Sequence, residues 1–234
     1  MKFTTWEPVY DAIIESFGFD RAADERARDV LAALTSPFSF DTFDLPEDPT
    51  VAIVGAGPSL EHAGELARVT EDDVDAIFAA STAVDVLEDQ GIAVDCMVTD
   101  LDKNPETVVE LTARGTPVAV HAHGDNIPAV RSIVPDCSAS ALLPTTQAEP
   151  VGPVYNVGGF TDGDRAAFLA DHLGASTLRF VGWDFDDPTV EPMKAQKLEW
   201  AERLLYWLEH RRGDRFGVLD DRRSKIDTTA LPIE

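Results

Sequence analysis

Short apolar runs alternate with helix-patterned stretches from Thr50 through the C-terminal third of the chain. The runs are Val51-Ala52-Ile53-Val54, Ala76-Ile77-Phe78-Ala79, residues 94–99, Pro117-Val118-Ala119-Val120-His121, Ser140-Ala141-Leu142-Leu143 and residues 178–182. Each is continuously apolar or nearly so. That pattern belongs to strands buried on both faces, as in parallel sheets. The intervening stretches predict helices at 81–90, 105–114, 165–173 and 192–211, with shorter ones ending at Val69 and Val134. Strand–helix alternation predicts an α/β fold: a mainly parallel, Rossmann-like sheet with helices on both faces. In such sheets ligands bind beyond the carboxyl ends of the strands.

Ahead of this body lie two helical patterns. Val9, Ile13, Ile14 and Phe17 recur at helical spacing over 7–17. Asp20 then caps a second helix with Ala23, Ala27, Val30, Leu31 and Leu34 on one face. Residues 37–49 contain Phe38, Phe40 and Phe43 and are expected to pack on the body. The expected organisation is a helical extension over 1–49, an α/β catalytic domain over 50–212, and a polar, loosely held tail over 213–234.

Charge excludes one class of partner. The chain has 43 acidic and 19 basic residues, a net of −24. Nucleic-acid binding needs a basic footprint, and none is visible. The acids are dispersed rather than gathered in a tail, which suggests a surface adapted to high salt. No apolar run approaches the ~18 residues of a membrane span. The N-terminus lacks a signal-peptide core, so a cytoplasmic setting is expected. Cys96 and Cys137 form no zinc pattern, and Cys96 lies inside an apolar strand.

Unusual residues gather at the predicted strand ends. Asp100 and Asp102 close the third run, spaced as extended residues that face the same way. Two such carboxylates suit a hard cation such as Mg²⁺, which keeps waters and shares phosphate ligands, or else mark an ordinary turn where a strand stops. Gly55-Ala56-Gly57-Pro58-Ser59 follows the first run and opens a helix. Gly55, Gly57 and Ser59 are therefore candidates for nucleotide phosphate contact, or else form a tight turn with Ser59 as cap. His123-Gly124-Asp125-Asn126 offers an imidazole and a further carboxylate, or a capped polar turn. Asp162, Asp164 and Arg165 precede a helix, where capping competes with a role at the metal or phosphate edge. Lys194 and Lys197 share a helix face in a chain with only five lysines. They either neutralise phosphate or bridge to Glu191 and Glu199. Trp183-Asp184 ends the last run.

These motifs, in this order, are recognisable together. The sequence resembles the archaeal 6-hydroxymethyl-7,8-dihydropterin diphosphokinases, on Gly55-Ala56-Gly57-Pro58-Ser59, Thr99-Asp100-Leu101-Asp102, His121-Ala122-His123-Gly124-Asp125-Asn126 and Gly159 to Ala166. That family is similar in fold to thiamine diphosphokinases, which carry a like Asp-x-Asp motif. The resemblance implies Mg²⁺-dependent transfer of diphosphate from ATP to the pterin hydroxymethyl group, releasing AMP, in archaeal folate or methanopterin synthesis. It implies Asp100 and Asp102 as metal ligands with Asp125 or Asp164 as a further one. Gly55, Gly57 and Ser59 would hold nucleotide phosphate, Lys194 and Lys197 would offset triphosphate charge, and Asp184 would accept from the pterin amino edge. Lys103 stands where many relatives are expected to have Gly. The N-terminal helices would cover the site or form a homodimer contact. Two other classes fit a lone Asp-x-Asp motif: a metal-dependent nucleotide-sugar transferase and a non-catalytic nucleotide-binding module.

Overall fold

All six apolar runs become strands, and every pairing is parallel. The computed structural model describes residues 1–233. The strands are β1 (Thr50–Val54), β2 (Ala76–Ala80), β3 (Cys96–Thr99), β4 (Val118–Ala122), β5 (Leu142–Thr146) and β6 (Thr177–Val181). Their order in the sheet is β5-β4-β3-β2-β1-β6. The chain thus steps outward from β1 to β5 and then returns to the other side of β1. That reversal leaves a crevice between the carboxyl ends of β1 and β6. Strand β5 extends beyond the expected 140–143. Its polar end is accommodated because Thr145 Oγ1 donates to the Val120 carbonyl at 3.1 Å.

Among the described residues eight α-helices complete the fold: α1 (Phe3–Phe17), α2 (Arg21–Leu34), α3 (Ala63–Val69), α4 (Ala83–Asp89), α5 (Pro105–Ala113), α6 (Ile127–Ile133), α7 (Asp162–His172) and α8 (Pro192–Arg212). Two apolar cores lie on opposite faces of the sheet. Helices α1, α7 and α8 build one, with Trp6, Tyr10, Phe168, Leu204 and Trp207. Helix α2 and the crossover helices build the other, with Leu31, Val84, Leu87, Val108 and Val130. The expected helices cover both faces as alternation requires. None among the described residues is long and apolar enough to cross a membrane.

The N-terminal helices straddle the sheet, one on each core. Helix α1 begins at Phe3, with Pro8 inside it, four residues before its expected start. It buries Trp6, Val9, Tyr10 and Ile13. Four such side chains contribute about 6–12 kcal/mol of apolar burial before chain entropy is counted. Asp20 caps α2 as expected, accepting from the Ala22 N–H at 3.0 Å. The buried face of α2 keeps Ala27 and Leu31 of the expected set but is rotated from it. Leu34 is exposed, whereas Asp24, Ala27, Arg28 and Leu31 face inward. Arg28 is accommodated because Nη1 donates to the Glu149 carbonyl at 2.8 Å. Phe38 and Phe43 are buried in the first core, as their clustering suggested.

The C-terminal segment departs from the expected loose tail. Phe216, Leu219 and Leu231 are buried in the first core. The Phe216 ring lies 4.8 Å from that of Phe180 on edge strand β6. Arg223 bridges to Glu209 of α8 at 2.6 Å, so the segment's polarity is spent on ion pairs with the body.

Candidate active site

The carboxyl ends of the strands open into one cavity of about 710 Å³. Its lining runs from the α1–α2 junction (Gly18, Phe19) past Asp100 and Asp102 to Trp183 and Asp184 beyond β6. Lys194 and Lys197 of α8 line it as well.

The Asp pair converges, but through a turn rather than along a strand. Strand β3 stops at Thr99. Leu101 then takes φ +67°, a left-handed conformation that a branched side chain rarely adopts. Its side chain is buried, which holds the turn in place. Asp100 Oδ1 accepts from the Asp102 N–H at 3.3 Å. Strained backbone of this kind collects at functional sites. Ser81 at φ +42° and Asn104 at φ +38° flank the same region.

A second set of contacts fixes Asp100 from the β4 side. His123 Nε2 stands 3.4 Å from Asp100 Oδ2. Asn126 is buried and donates to the backbone carbonyls of Asp100 and His121, each at 2.7 Å. Asn126 thus ties the two loops together instead of capping α6. Burial opposes ionisation of Asp100. The His123 hydrogen bond, the Arg165 guanidinium and the Asp102 carboxyl outweigh it and hold Asp100 well below the usual carboxylate range. Asp102 moves the other way, raised by burial and by its contact with Asp100.

Asp162 joins this pair more closely than Asp125 or Asp164. Burial, then the negative Asp100, push the Asp162 carboxyl up to about 7, although Arg165 bridges to it at 3.0 Å. Arg165 is 6% exposed and its Nε has no partner. Asp164 is fully buried and occupied. Its carboxylate accepts from the N–H groups of Phe160 and Thr161 and from Thr161 Oγ1, forming a capping box. It does not line the cavity, so it is turned away from any metal bound there. Asp125 is exposed on the cavity wall and touches neither Asp100 nor Asp102 through a hydrogen bond. No group of three or more His, Cys, Asp or Glu among the described residues converges tightly enough to cage an ion. Asp100 and Asp102 remain. Two carboxylates open to a cavity suit Mg²⁺, which completes its shell with water and phosphate, better than a cation that needs an all-protein cage.

The glycine-rich loop is not a free phosphate cradle. The Gly55 N–H donates to the Val181 carbonyl and the Gly57 N–H to the Gly182 carbonyl, each at 2.9 Å. The Ser59 N–H donates to Asp184 Oδ2 at 2.8 Å. These three amides are consumed by the loop after β6. A Cβ on Gly57 would stand 2.4 Å from Asp184 Oδ2. The glycines are therefore explained by close approach of two loops. Asp184 makes this contact through Oδ2 and lines the cavity as well. The loop still walls the cavity beside Trp183, whose Nε1 donates to the Ile53 carbonyl at 3.0 Å.

Lys194 and Lys197 make no ion pair among the described residues, neither with Glu191 nor with Glu199. The Lys197 ammonium lies 5.9 Å above the Phe160 ring. Burial, then Arg165, lower its pKa, while Asp100 opposes them. An ammonium in that position gains from an added anion.

A family model described as 6-hydroxymethylpterin diphosphokinase MptE-like matches residues 30–189. The chain belongs to this family. Curated relatives named 6-hydroxymethyl-7,8-dihydropterin pyrophosphokinase include one from Methanothermobacter thermautotrophicus, 37% identical over 92% of this chain and 97% of that protein. One from Pyrococcus furiosus is 36% identical over 90% and 95%. A third, from Methanocaldococcus jannaschii, is 33% identical over 89% and 96%. Among solved structures, a MAf glycosyltransferase from Magnetospirillum magneticum is similar at 20% identity with a TM-score of 0.45. The match covers 74% of this chain and 29% of that one.

The stretch matched by the MptE-like family model holds the Asp pair, His123, Asp162 and Arg165, while Lys194 and Lys197 lie beyond it. Motif reasoning overlooked several cavity residues: Asp24, Ser81 and Gln147. Asp24 carries no local signal, being one acid among 43. Trp183, singled out at the end of the last run, does line the cavity.

Proposed function

We propose that this chain transfers diphosphate from ATP to 6-hydroxymethyl-7,8-dihydropterin, giving AMP and the pterin diphosphate, with Mg²⁺ as cofactor. One observation carries the reading: in a single cavity, the Asp100–Asp102 turn faces Arg165 and two lysines that no carboxylate neutralises. The names of the curated relatives supply the substrate. Such a product belongs to the pterin branch of archaeal folate or methanopterin synthesis.

The chemistry asks for positioning and charge neutralisation more than covalent catalysis. The pterin hydroxyl attacks the β-phosphorus and AMP leaves. Asp100 and Asp102 would hold Mg²⁺, which when bound offsets charge on the phosphate oxygens. His123 and Asn126 keep Asp100 ionised and aimed. Lys194, Lys197 and Arg165 stabilise charge on the transferring diphosphate. Asp162, poised near neutrality, holds or releases a proton beside them. The wall formed by Trp183 and the Gly55–Ser59 loop receives the nucleoside side.

The deciding assay is AMP release from ATP and Mg²⁺ in high salt, as the acidic surface suggests, with and without the pterin. AMP that appears only with pterin, matched by pterin diphosphate, supports the proposal. ADP as product refutes diphosphate transfer. Turnover of a nucleotide sugar, or ATP binding without AMP, moves the protein to another class. In Asp100→Asn/Asp102→Asn, near-normal transfer would defeat the metal assignment.

A further inference from the structure

One buried carboxylate in the cavity has no cation. Asp24 on α2 is 3% exposed and forms no ion pair among the described residues. Its partners are neutral donors. Tyr10 Oη and Gln147 Nε2 donate to Oδ2, each at 2.7 Å, and the Gly124 N–H donates to Oδ1 at 2.8 Å. A carboxylate offers about four acceptor positions, so one remains open. Buried charges are ordinarily paired. Asp24 lines the cavity, so the missing donor is one that the cavity brings.

Gln147 repeats the pattern. It is 3% exposed and lines the same end of the cavity. Its amide nitrogen is spent on Asp24, which leaves Oε1 unpartnered. With Asp24, this end therefore holds two buried acceptors. It also has a flat apolar wall. Phe19 and Phe160 line it, each packed on Phe17 with ring centroids 5.1 Å apart.

An acceptor-rich wall selects between the two substrates. The 2-amino-4-oxo edge of a pterin presents adjacent N–H donors. Adenine places an acceptor ring nitrogen beside its single amino group, which would face Asp24 oxygen to nitrogen lone pair. We infer that Asp24, with Gln147 beside it, recognises the amino edge of the pterin, so that the α1–α2 hairpin forms the pterin end of the cavity. The nucleotide then occupies the opposite end, at the β1–β6 crevice with Trp183. Gly124 bonds Asp24 and adjoins His123, which contacts Asp100. A ring held on Asp24 therefore directs its far end, which carries the hydroxymethyl group, toward the Asp100–Asp102 turn. The inference rests on the diphosphokinase reading and gives the N-terminal helices a task in substrate choice.

The test is equilibrium binding on the full chain, with 6-hydroxymethyl-7,8-dihydropterin followed by fluorescence without ATP, and ATP followed separately by calorimetry. Asp24→Asn should weaken pterin binding at least about tenfold and leave ATP within about twofold, since a hydrogen bond to a charged group is lost. Phe19→Ala, at a half-buried junction position, should show the same split without touching the Asp24 network. An analogue with oxygen in place of the 2-amino group should bind wild type about tenfold or more weakly, and Asp24→Asn should lose that preference. Weakened ATP binding with intact pterin binding in either variant overturns the inference, as does a wild type indifferent to the 2-amino group. A wild type that binds no pterin removes the diphosphokinase reading and this inference together. Pterin diphosphate formation with unchanged pterin affinity in both variants removes the inference alone.

Discussion

Replacing Gly57 with Ala separates a structural glycine from a phosphate-binding one. The new Cβ would stand 2.4 Å from Asp184 Oδ2 and 2.8 Å from the Gly182 carbonyl oxygen. Neither distance is tolerable, so the loop after β6 must retreat. Overpacking of this kind costs about 1–3 kcal/mol. Retreat also lengthens the Ser59–Asp184 hydrogen bond, now 2.8 Å, and a bond to a charged acceptor contributes about 1.5–3 kcal/mol. The two costs overlap, so the expected loss is about 2–4 kcal/mol. For a chain of this length that lowers Tm by roughly 4–16 °C. Urea unfolding should show a lower midpoint with an unchanged slope. Asp184→Ala removes one of the two colliding atoms. The double variant Gly57→Ala/Asp184→Ala should therefore lose less than the sum of the single losses. A Gly57→Ala protein that melts within about 2 °C of wild type but loses ATP affinity would refute this account and return the loop to phosphate binding.

Further expectations follow from the same geometry. Lys197→Met should lower kcat/KM about 10²–10³-fold with no loss of Tm, because the ammonium has no ion pair to lose and burial already disfavours its charge. Steady-state kinetics beside a melting curve checks both halves. Mg²⁺ affinity should rise with pH through about 7: Asp162 sits near the metal carboxylates and carries a proton below that pH, and a cation favours its ionised form. Calorimetry between pH 6 and 8 should show this dependence, and Asp162→Asn should flatten it. In the metal-free protein the same elevated pKa has the opposite sign for folding. The folded state keeps a proton that the unfolded chain has lost above about 4, so this group's contribution declines as pH rises from about 4 to 7. Deleting residues 214–234 removes Phe216, Leu219 and Leu231 from the core. At about 1.5–3 kcal/mol each, that approaches the whole stability of an ordinary domain, and circular dichroism should report an unfolded or aggregated product.

The sheet was legible because its strands are buried on both faces, so each reads as an uninterrupted apolar run. The site was legible where a residue's position in the topology matters more than its partners. Asp100, His123 and Arg165 all sit at strand or helix ends and all reach the cavity. Partners were not legible. Nothing in Gly55-Ala56-Gly57-Pro58-Ser59 announces that its amides are taken by residues 181–184, more than a hundred positions later. Asp164 looked like Asp162, yet the capping box turns one inward and leaves the other beside Asp100. The Asp-x-Asp spacing pointed to convergence for a mistaken reason. Strand alternation was assumed, whereas the left-handed Leu101 brings the two acids together. Asp24 was invisible because composition hid it: in so acidic a chain, one buried carboxylate on a helix face has no contrast against its neighbours.

The same composition makes the lysines informative. Three of the five, Lys103, Lys194 and Lys197, line the cavity. Most arginines elsewhere are tied to carboxylates, as Arg179 is to Asp73 and Glu71, and Arg222 to Asp186 and Glu202. A rigid guanidinium fork suits such fixed bridges, while an ammonium is a compact charge that can follow a moving phosphate. Salt sharpens the distinction. At about 1 M the screening length is roughly 3 Å, so a net charge of −24 neither repels nor attracts a triphosphate from a distance. Only charges in contact with the ligand still act, and half-buried Lys197 is shielded from the salt around it. The ATP KM of the wild type should therefore change little between 1 and 3 M KCl. That of Lys197→Met should be raised at both concentrations, which separates a contact charge from a general electrostatic field.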